Sequence, residues 1–267
     1  MNYKPKISVV CPTYNSEKFI IETLKSVLEQ TVLPLEIIVS DDGSQDETIN
    51  KVESFFNSSN TVIDTRLIKN QHQGAGATRN VAICEAKGEW IAFIDSDDLW
   101  AKTKISEVIS VIKANNNYNF IFHNENHKKL DDSITPFHDF SDFFREDQTL
   151  SFQVWKYCIF HTSTITCRKN LLIESGLFNE SFLSSQDWEL WIRLAPKLKY
   201  YHIRKILGTY VDRSNNITNT KSFSGLVDRL KIMTMHWRKS GASVTDYIYM
   251  AIRRIIGFIV KANRIKN

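Results

Sequence analysis

Three acidic residues within four positions, Asp95-Ser96-Asp97-Asp98, stand directly after the apolar run Trp90-Ile91-Ala92-Phe93-Ile94. Left unpaired at a buried strand end, they would repel one another and lose hydration, a cost on the order of several kcal/mol. A hard divalent cation relieves that cost. Oxygen ligands with room for phosphate oxygens and waters suit Mg2+ or Mn2+. A second acidic pair, Asp41-Asp42, precedes Gly43-Ser44. Capping the next helix needs one carboxylate, but an aspartate also accepts from a base N–H or a ribose hydroxyl, so both readings stand. Pro12-Thr13-Tyr14-Asn15 leads into a helix start, where free backbone N–H groups favour an anion; simple capping by Asn15 or Ser16 also accounts for it. Gly74-Ala75-Gly76-Ala77-Thr78-Arg79-Asn80 opens another helix with Arg79 in its first turns. An arginine there opposes the helix dipole, which points to a facing anion such as a diphosphate. The spacing lacks both the GK[ST] ending of a P-loop and the GxGxxG fingerprint.

Each cluster follows an apolar run and precedes an amphipathic stretch. Strands are expected over residues 7–11, 35–40, 62–69 and 90–95, with helices over 17–30, 45–55, 76–86 and 102–114. This alternation predicts an α/β fold: a mostly parallel central sheet with helices on both faces. In such a sheet ligands bind beyond the carboxyl ends of the strands, where all four clusters sit. Phe120-Ile121-Phe122 reads as a further strand, whereas residues 123–148 read as polar and irregular. Regular pattern returns over 162–168, with helices over 169–175 and 186–198 and strands over 200–210, followed by a helical tail.

The 267 residues carry a net charge of +4 that is unevenly spread. From Leu230 to Asn267 there are eight Lys or Arg and one acid, Asp246, so the tail holds +7 and the body −3. An acidic body argues against a nucleic-acid partner, which needs a basic face across the fold. The four cysteines, Cys11, Cys84, Cys158 and Cys167, show neither CxxC pairing nor metal-ligand spacing and read as buried thiols in a reducing compartment. No signal-peptide core or membrane span is visible, so a cytoplasmic location is expected.

Taken together, PTYN, DDGS, GxGxTRN and DSDD followed by Leu99-Trp100 resemble the family 2 glycosyltransferases, nucleotide-sugar enzymes of the A-type glycosyltransferase fold. Ser175-Gly176-Leu177-Phe178-Asn179 and Ser185-Gln186-Asp187-Trp188-Glu189-Leu190-Trp191 extend the likeness, which covers residues 6–215. The resemblance implies that Pro12, Thr13, Tyr14, Asn15, Asp41 and Asp42 hold the nucleoside, with base or ribose taken by one of the two aspartates. It implies that Arg79 contacts the nucleotide side of the donor. Asp95, Ser96 and Asp97 match the DxD element, Asp97 as the metal ligand and Asp95 nearer the ribose. Asp187 matches the catalytic base. Gln186 stands where the family usually has Glu or Asp, which changes the surroundings of the base. The family's frequent His after the last strand is missing; Tyr210-Val211-Asp212-Arg213-Ser214 occupies the segment, and Arg213 is a candidate diphosphate contact there. The Gln-x-x-Arg-Trp element and membrane spans of the family's processive synthases are also missing, favouring single-sugar transfer over polymerisation.

The implied reaction moves a sugar, with inversion, from a nucleotide-sugar donor (UDP-sugar by preference) to an acceptor hydroxyl. Bacterial surface polysaccharide or glycolipid assembly is the implied setting, with a saccharide or lipid-linked saccharide as acceptor. Residues 1–218 are expected to form the catalytic domain and 219–267 a basic amphipathic extension. In that extension Tyr247, Ile248, Ala251, Ile252, Ile255 and Ile259 recur at helical spacing, flanked by cations. It is expected to pack on its own domain, to pair with a second copy in a homodimer, or to lie on an anionic inner membrane leaflet. Trp188 and Trp191 are expected to pack rather than stack on sugar, and Glu189 to face solvent.

Overall fold

The computed structural model describes residues 5–136, 144–213 and 223–263. Four parallel strands, β1 (Ile7–Thr13), β2 (Glu36–Asp41), β3 (Asp64–Lys69) and β4 (Trp90–Phe93), alternate with α1 (Ile20–Leu28), α2 (Thr48–Ser58) and α3 (Ala75–Glu85). After β4 come β5 (Leu99–Trp100), α4 (Lys104–Ala114), β6 (Phe120–Lys128), β7 (Ile134–Pro136), α5 (Leu150–Lys156), β8 (Thr166–Arg168), α6 (Lys169–Glu174) and α7 (Gln186–Leu194). β9 (Tyr200–Val211), α8 (Phe223–Ser240) and α9 (Val244–Asn263) complete the described chain. The sheet runs β3-β2-β1-β4-β8-β6-β9-β5, with β7 paired to β6. β8 is antiparallel to both β4 and β6, and β9 is parallel to β6.

Strands β1, β2 and β4 are buried throughout because helices cover both sheet faces, which is why they read as unbroken apolar runs. Successive side chains enter opposite layers. Val9 and Cys11 join one core with Ile37, Val39 and Trp90, and Val10 joins the other with Ile38, Phe93, Phe120 and Trp191.

Residues 123–128 correct the expectation of irregular chain, since β6 continues through them. His123, Asn124 and Glu125 are buried there, and the last two are partnered: His202 Nε2 and Asn124 Oδ1 lie 2.7 Å apart, and Glu125 pairs with His161. Register shifts around Asn124 bend the strand there, as a bulge does. Helix α7 ends four residues short of its expectation and passes into a tight turn over Ala195–Lys197. The expected domain boundary at 218/219 and residues 214–218 of the family-like segment lie outside the described residues.

The C-terminal helices share the core. Ile232 and Met233 of α8 and Met250 of α9 are buried with Trp155 and Trp188, and Trp155 Nε1 donates to the Met233 carbonyl at 3.0 Å. Glu189, expected at the surface, is 2 % exposed. It accepts from Arg193 and lies 2.9 Å from His236 Nε2, pinning α8 to α7. Spacing alone placed Glu189 outward because α8, which covers it, follows some 35 residues later in the chain. Of the cysteines, all free, Cys11 and Cys167 are buried, whereas Cys84 and Cys158 are exposed. Among the described residues no helix is long and apolar enough to cross a membrane.

Candidate active site

The parallel registers bring three of the four clusters to one edge. Thr13 lies beside Asp41, and Val10 beside Phe93, so the loops after β1, β2 and β4 emerge together. Asn15 and Gly43 take positive φ, 46° and 77°, and the loops are cross-tied there. Asn15 N donates to Ser44 Oγ at 2.9 Å, and Gln45 N donates to Asn15 Oδ1 at 2.8 Å. Asp41 is fully buried and accepts from Gly43 N, Ser44 N and Ser44 Oγ. Asp42 accepts from Gln73 N and Gly74 N, which fastens the Gly74 loop to β2. Asp42 borders the cleft at this edge, and Asp41 shapes the loop beneath it.

That cleft measures about 190 Å3 and is lined by Pro12, Thr13, Tyr14, Asp42, His72, Gly74, Ala75, Thr78, Arg79, Asp95, Ser96 and Asp97. Tyr14 stacks on His72 with ring centroids 4.5 Å apart. Arg79, expected to face a ligand anion, donates instead to Asp95 Oδ1 at 2.6 Å. Burial works against its charge, and Asp95 more than offsets that, raising the guanidinium's pKa. Its Nε and Nη1, and the Thr13 hydroxyl, are buried without a hydrogen-bond partner. Such orphaned polar atoms at a cleft wall call for a ligand or water that completes them. A second cavity of about 500 Å3 adjoins the first across Asp97 and is lined by Asn15, Phe19, Asp212 and Arg213, among others.

Asp97 is ion-paired to Arg213, whose guanidinium lies 4.5 Å over the Phe19 ring. Burial pushes the Asp97 pKa up to about 6, Arg213 opposes the rise and Asp95 adds to it. Asp98 is raised further, by burial and by both neighbouring aspartates. The third carboxylate is nevertheless structural, because it accepts from Ser163 Oγ and from Val211 N and so ties β9 to the DSDD loop. The described residues contain no ready group of three metal-ligating side chains. The donor set still fits a hard cation, because mutually repelling carboxylates Asp95 and Asp97 open onto a cleft where phosphate oxygens and water supply the remaining ligands.

Asp187 occupies the second position of α7, not the N-cap; Ser185, with φ 57°, precedes the helix. Its Oδ1 accepts from Trp188 N at 2.7 Å and its Oδ2 from Thr162 Oγ1 at 3.4 Å. The next residue, Ser163, accepts at Oγ from Asp95 N at 3.0 Å. One short turn, Thr162–Thr164, thus joins Asp187 to the DSDD loop. Glu125 and His161 stand at the same turn. Sequence reasoning missed Glu125, His161, Thr162 and Ser163, which sit in stretches without a readable motif. Only Arg213 carried a signal, as the residue in place of a family His. Trp188 and Trp191 are packing residues, 1 % and 0 % exposed.

A protein-family model described as glycosyl transferase family 2 matches residues 8–174, more than half of the chain. The UDP-Glc:alpha-D-GlcNAc-diphosphoundecaprenol beta-1,3-glucosyltransferase WfaP of Escherichia coli is 29% identical over 259 residues, covering 94% of both chains. Among solved structures, S. aureus TarS 1–349 in complex with UDP-GlcNAc superposes with a TM-score of 0.72 at 22% identity, covering 94% of this chain and 71% of that one. The mannosyltransferase PcManGT of Pyrobaculum calidifontis, in complex with GDP-Man and Mn2+, gives 0.66 at 18% identity, covering 98% and 76%. These likenesses bear out the expected fold, an A-type glycosyltransferase sheet with C-terminal helices. The chain belongs to glycosyl transferase family 2, and it is a glycosyltransferase.

Proposed function

We propose that the protein transfers a sugar, glucose by preference, from a UDP-sugar to a hydroxyl of a polyprenyl-diphosphate-linked saccharide during surface glycan assembly. The observation that carries this reading is the Thr162–Thr164 turn, which sets one carboxylate, Asp187, beside the strand-end cleft of Asp42, Asp95 and Asp97. The donor and acceptor classes come from the substrates named for the E. coli relative.

In this reading Thr13, Tyr14 and Asp42 hold the nucleoside, and Asp95 lies towards the ribose. Pro12, Asn15, Asp41 and Ser96 shape the loops around it. Arg79 presents its unpartnered N–H groups to the donor. Asp97 would hold Mn2+ or Mg2+, which neutralises charge on the departing diphosphate. Arg213 then exchanges Asp97 for a diphosphate oxygen. Asp187 accepts the proton of the acceptor hydroxyl while that oxygen bonds to the anomeric carbon. The bond from that carbon to the diphosphate breaks, and its electron pair leaves with UDP. Attack on the face opposite the leaving group inverts the anomeric centre, through an oxocarbenium-like state. Residues 1–218 carry the reaction, and residues 219–267 hold the protein at the membrane surface.

The test supplies radiolabelled nucleotide sugars singly, with Mn2+, to the purified protein and a GlcNAc-diphosphate-lipid. Label from UDP-glucose should enter the lipid and be lost on adding EDTA. A protein that binds UDP but neither transfers nor hydrolyses any nucleotide sugar would be a binding module, and the proposal would fall.

A further inference from the structure

Three arginines gather where α8 and α9 meet the catalytic domain, and no carboxylate among the described residues forms an ion pair with any of them. Arg254 lies 4.2 Å over the ring of Trp188, the residue after Asp187, and its Nε is 3.0 Å from Met233 Sδ. Arg253 lies 5.4 Å over Tyr157. Arg229 of α8 lies close enough to Arg254 for their charges to repel: burial first, then the Arg229 charge, with Arg253 adding, bring the Arg254 pKa down to about 10. Arg229 is itself lowered by burial, against the pull of Asp228. The acids nearby are turned elsewhere. Asp228 accepts from Ser184 N and Oγ, and Asp246 from Ser243 N and Oγ.

Like charges concentrated and partly desolvated in one place require a counter-charge, as the DSDD aspartates do with the opposite sign. Guanidinium groups are weakly hydrated and bind phosphate oxygens in pairs, and stacking on Trp188 and Tyr157 orients their planes in advance. A cluster of three suits a multiply charged anion better than a singly charged phosphodiester. Beside it, α9 turns Ile248, Ile252, Ile255, Ile256 and Ile259 outward, each 40–54 % exposed and all on one helical face. Such a face, with cations at its edge, fits an interfacial membrane helix.

We propose that Arg229, Arg253 and Arg254 hold the diphosphate of a polyprenyl-linked acceptor, with the isoleucine face of α9 against the bilayer that carries its chain. This inference rests on the glycosyltransferase reading. Its placement is consistent: Arg254 stacks on Trp188, the residue that follows Asp187 in α7.

Calorimetry with farnesyl diphosphate as probe tests it, with UDP and Mn2+ saturating so that the donor site is filled. Wild type should bind farnesyl diphosphate about ten-fold more tightly than farnesyl monophosphate, with inorganic diphosphate competing. Arg229→Gln and Arg253→Gln should each weaken that binding about ten-fold and leave UDP affinity unchanged. Arg253 is exposed, so its variant separates lost binding from the misfolding that Arg254→Gln risks. Equal affinity in the variants, or binding that UDP abolishes, would overturn the proposal. So would variants that lose flotation with phosphatidylglycerol vesicles yet keep farnesyl diphosphate binding, because the arginines would then serve phospholipid headgroups. Intact UDP binding and nucleotide-sugar hydrolysis alongside absent farnesyl diphosphate binding would defeat this inference alone; loss of all three would defeat the functional reading.

Discussion

Replacing Asp187 by Asn tests the base assignment most directly, because the structure separates its effect on chemistry from its effect on folding. Asn retains a side-chain carbonyl for the Trp188 N–H, which Asp187 Oδ1 accepts at 2.7 Å. What the fold loses is one carboxylate charge in the first turn of α7, about 0.3–1 kcal/mol. The 3.4 Å contact with Thr162 Oγ1 is too long to add much. The reaction loses its proton acceptor, and general-base catalysis contributes about 10^2- to 10^4-fold in rate, or roughly 2.7–5.4 kcal/mol of barrier. The assay is UDP release at saturating donor and acceptor, paired with UDP affinity by calorimetry and a thermal melt. We expect kcat to fall at least 100-fold, UDP affinity to stay within about two-fold and Tm to drop by a few degrees at most. A variant whose kcat stays within ten-fold of wild type would refute the assignment. A variant that loses UDP binding as well would show Asp187 to be a structural post of the cleft.

Thr13→Val removes a buried hydroxyl that has no partner in the unliganded protein, so Tm should hold or rise, while UDP binding weakens about five- to ten-fold; a destabilised variant with normal UDP affinity contradicts the ligand role. Asp97→Ala should abolish turnover at every Mn2+ concentration and make UDP affinity independent of Mn2+ in a titration; an undiminished Mn2+ response would place the cation elsewhere. Glu189→Gln should lower stability by about 2 kcal/mol at pH 7, since a buried charged acceptor for Arg193 and His236 is lost. Burial pushes the Glu189 carboxyl up, but those partners hold it below its ordinary value. Its stabilisation is therefore complete above the unfolded carboxyl's value near 4.5 and fades as pH falls through the lower folded value. Denaturant melts of both proteins should converge below about pH 4.5; a gap that widens there contradicts the sign.

What the sequence determined by itself was everything that local periodicity and strand-end chemistry can encode. Buried runs such as Glu36–Asp41 carry their strand character in three consecutive β-branched residues, Ile37, Ile38 and Val39, and a parallel sheet then forces their polar ends to one edge. The clusters at Thr13, Asp42, Arg79, Asp95 and Asp97 were legible for that reason, as was the fold. Tertiary structure decided which members face the cleft and which hold it together. Asp41 turned inward because two loop N–H groups and Ser44 claim it. Asp98 became a tie between Ser163 and β9, and Arg79 found its anion in Asp95. The polar half of β6 and the Glu125–His161 pair left no local pattern, and the α9 arginines read only as cations flanking an amphipathic helix, because their partners lie tens of residues away. Ion pairs and ring contacts across such distances exist only once the chain has closed, so they were the structure's to decide.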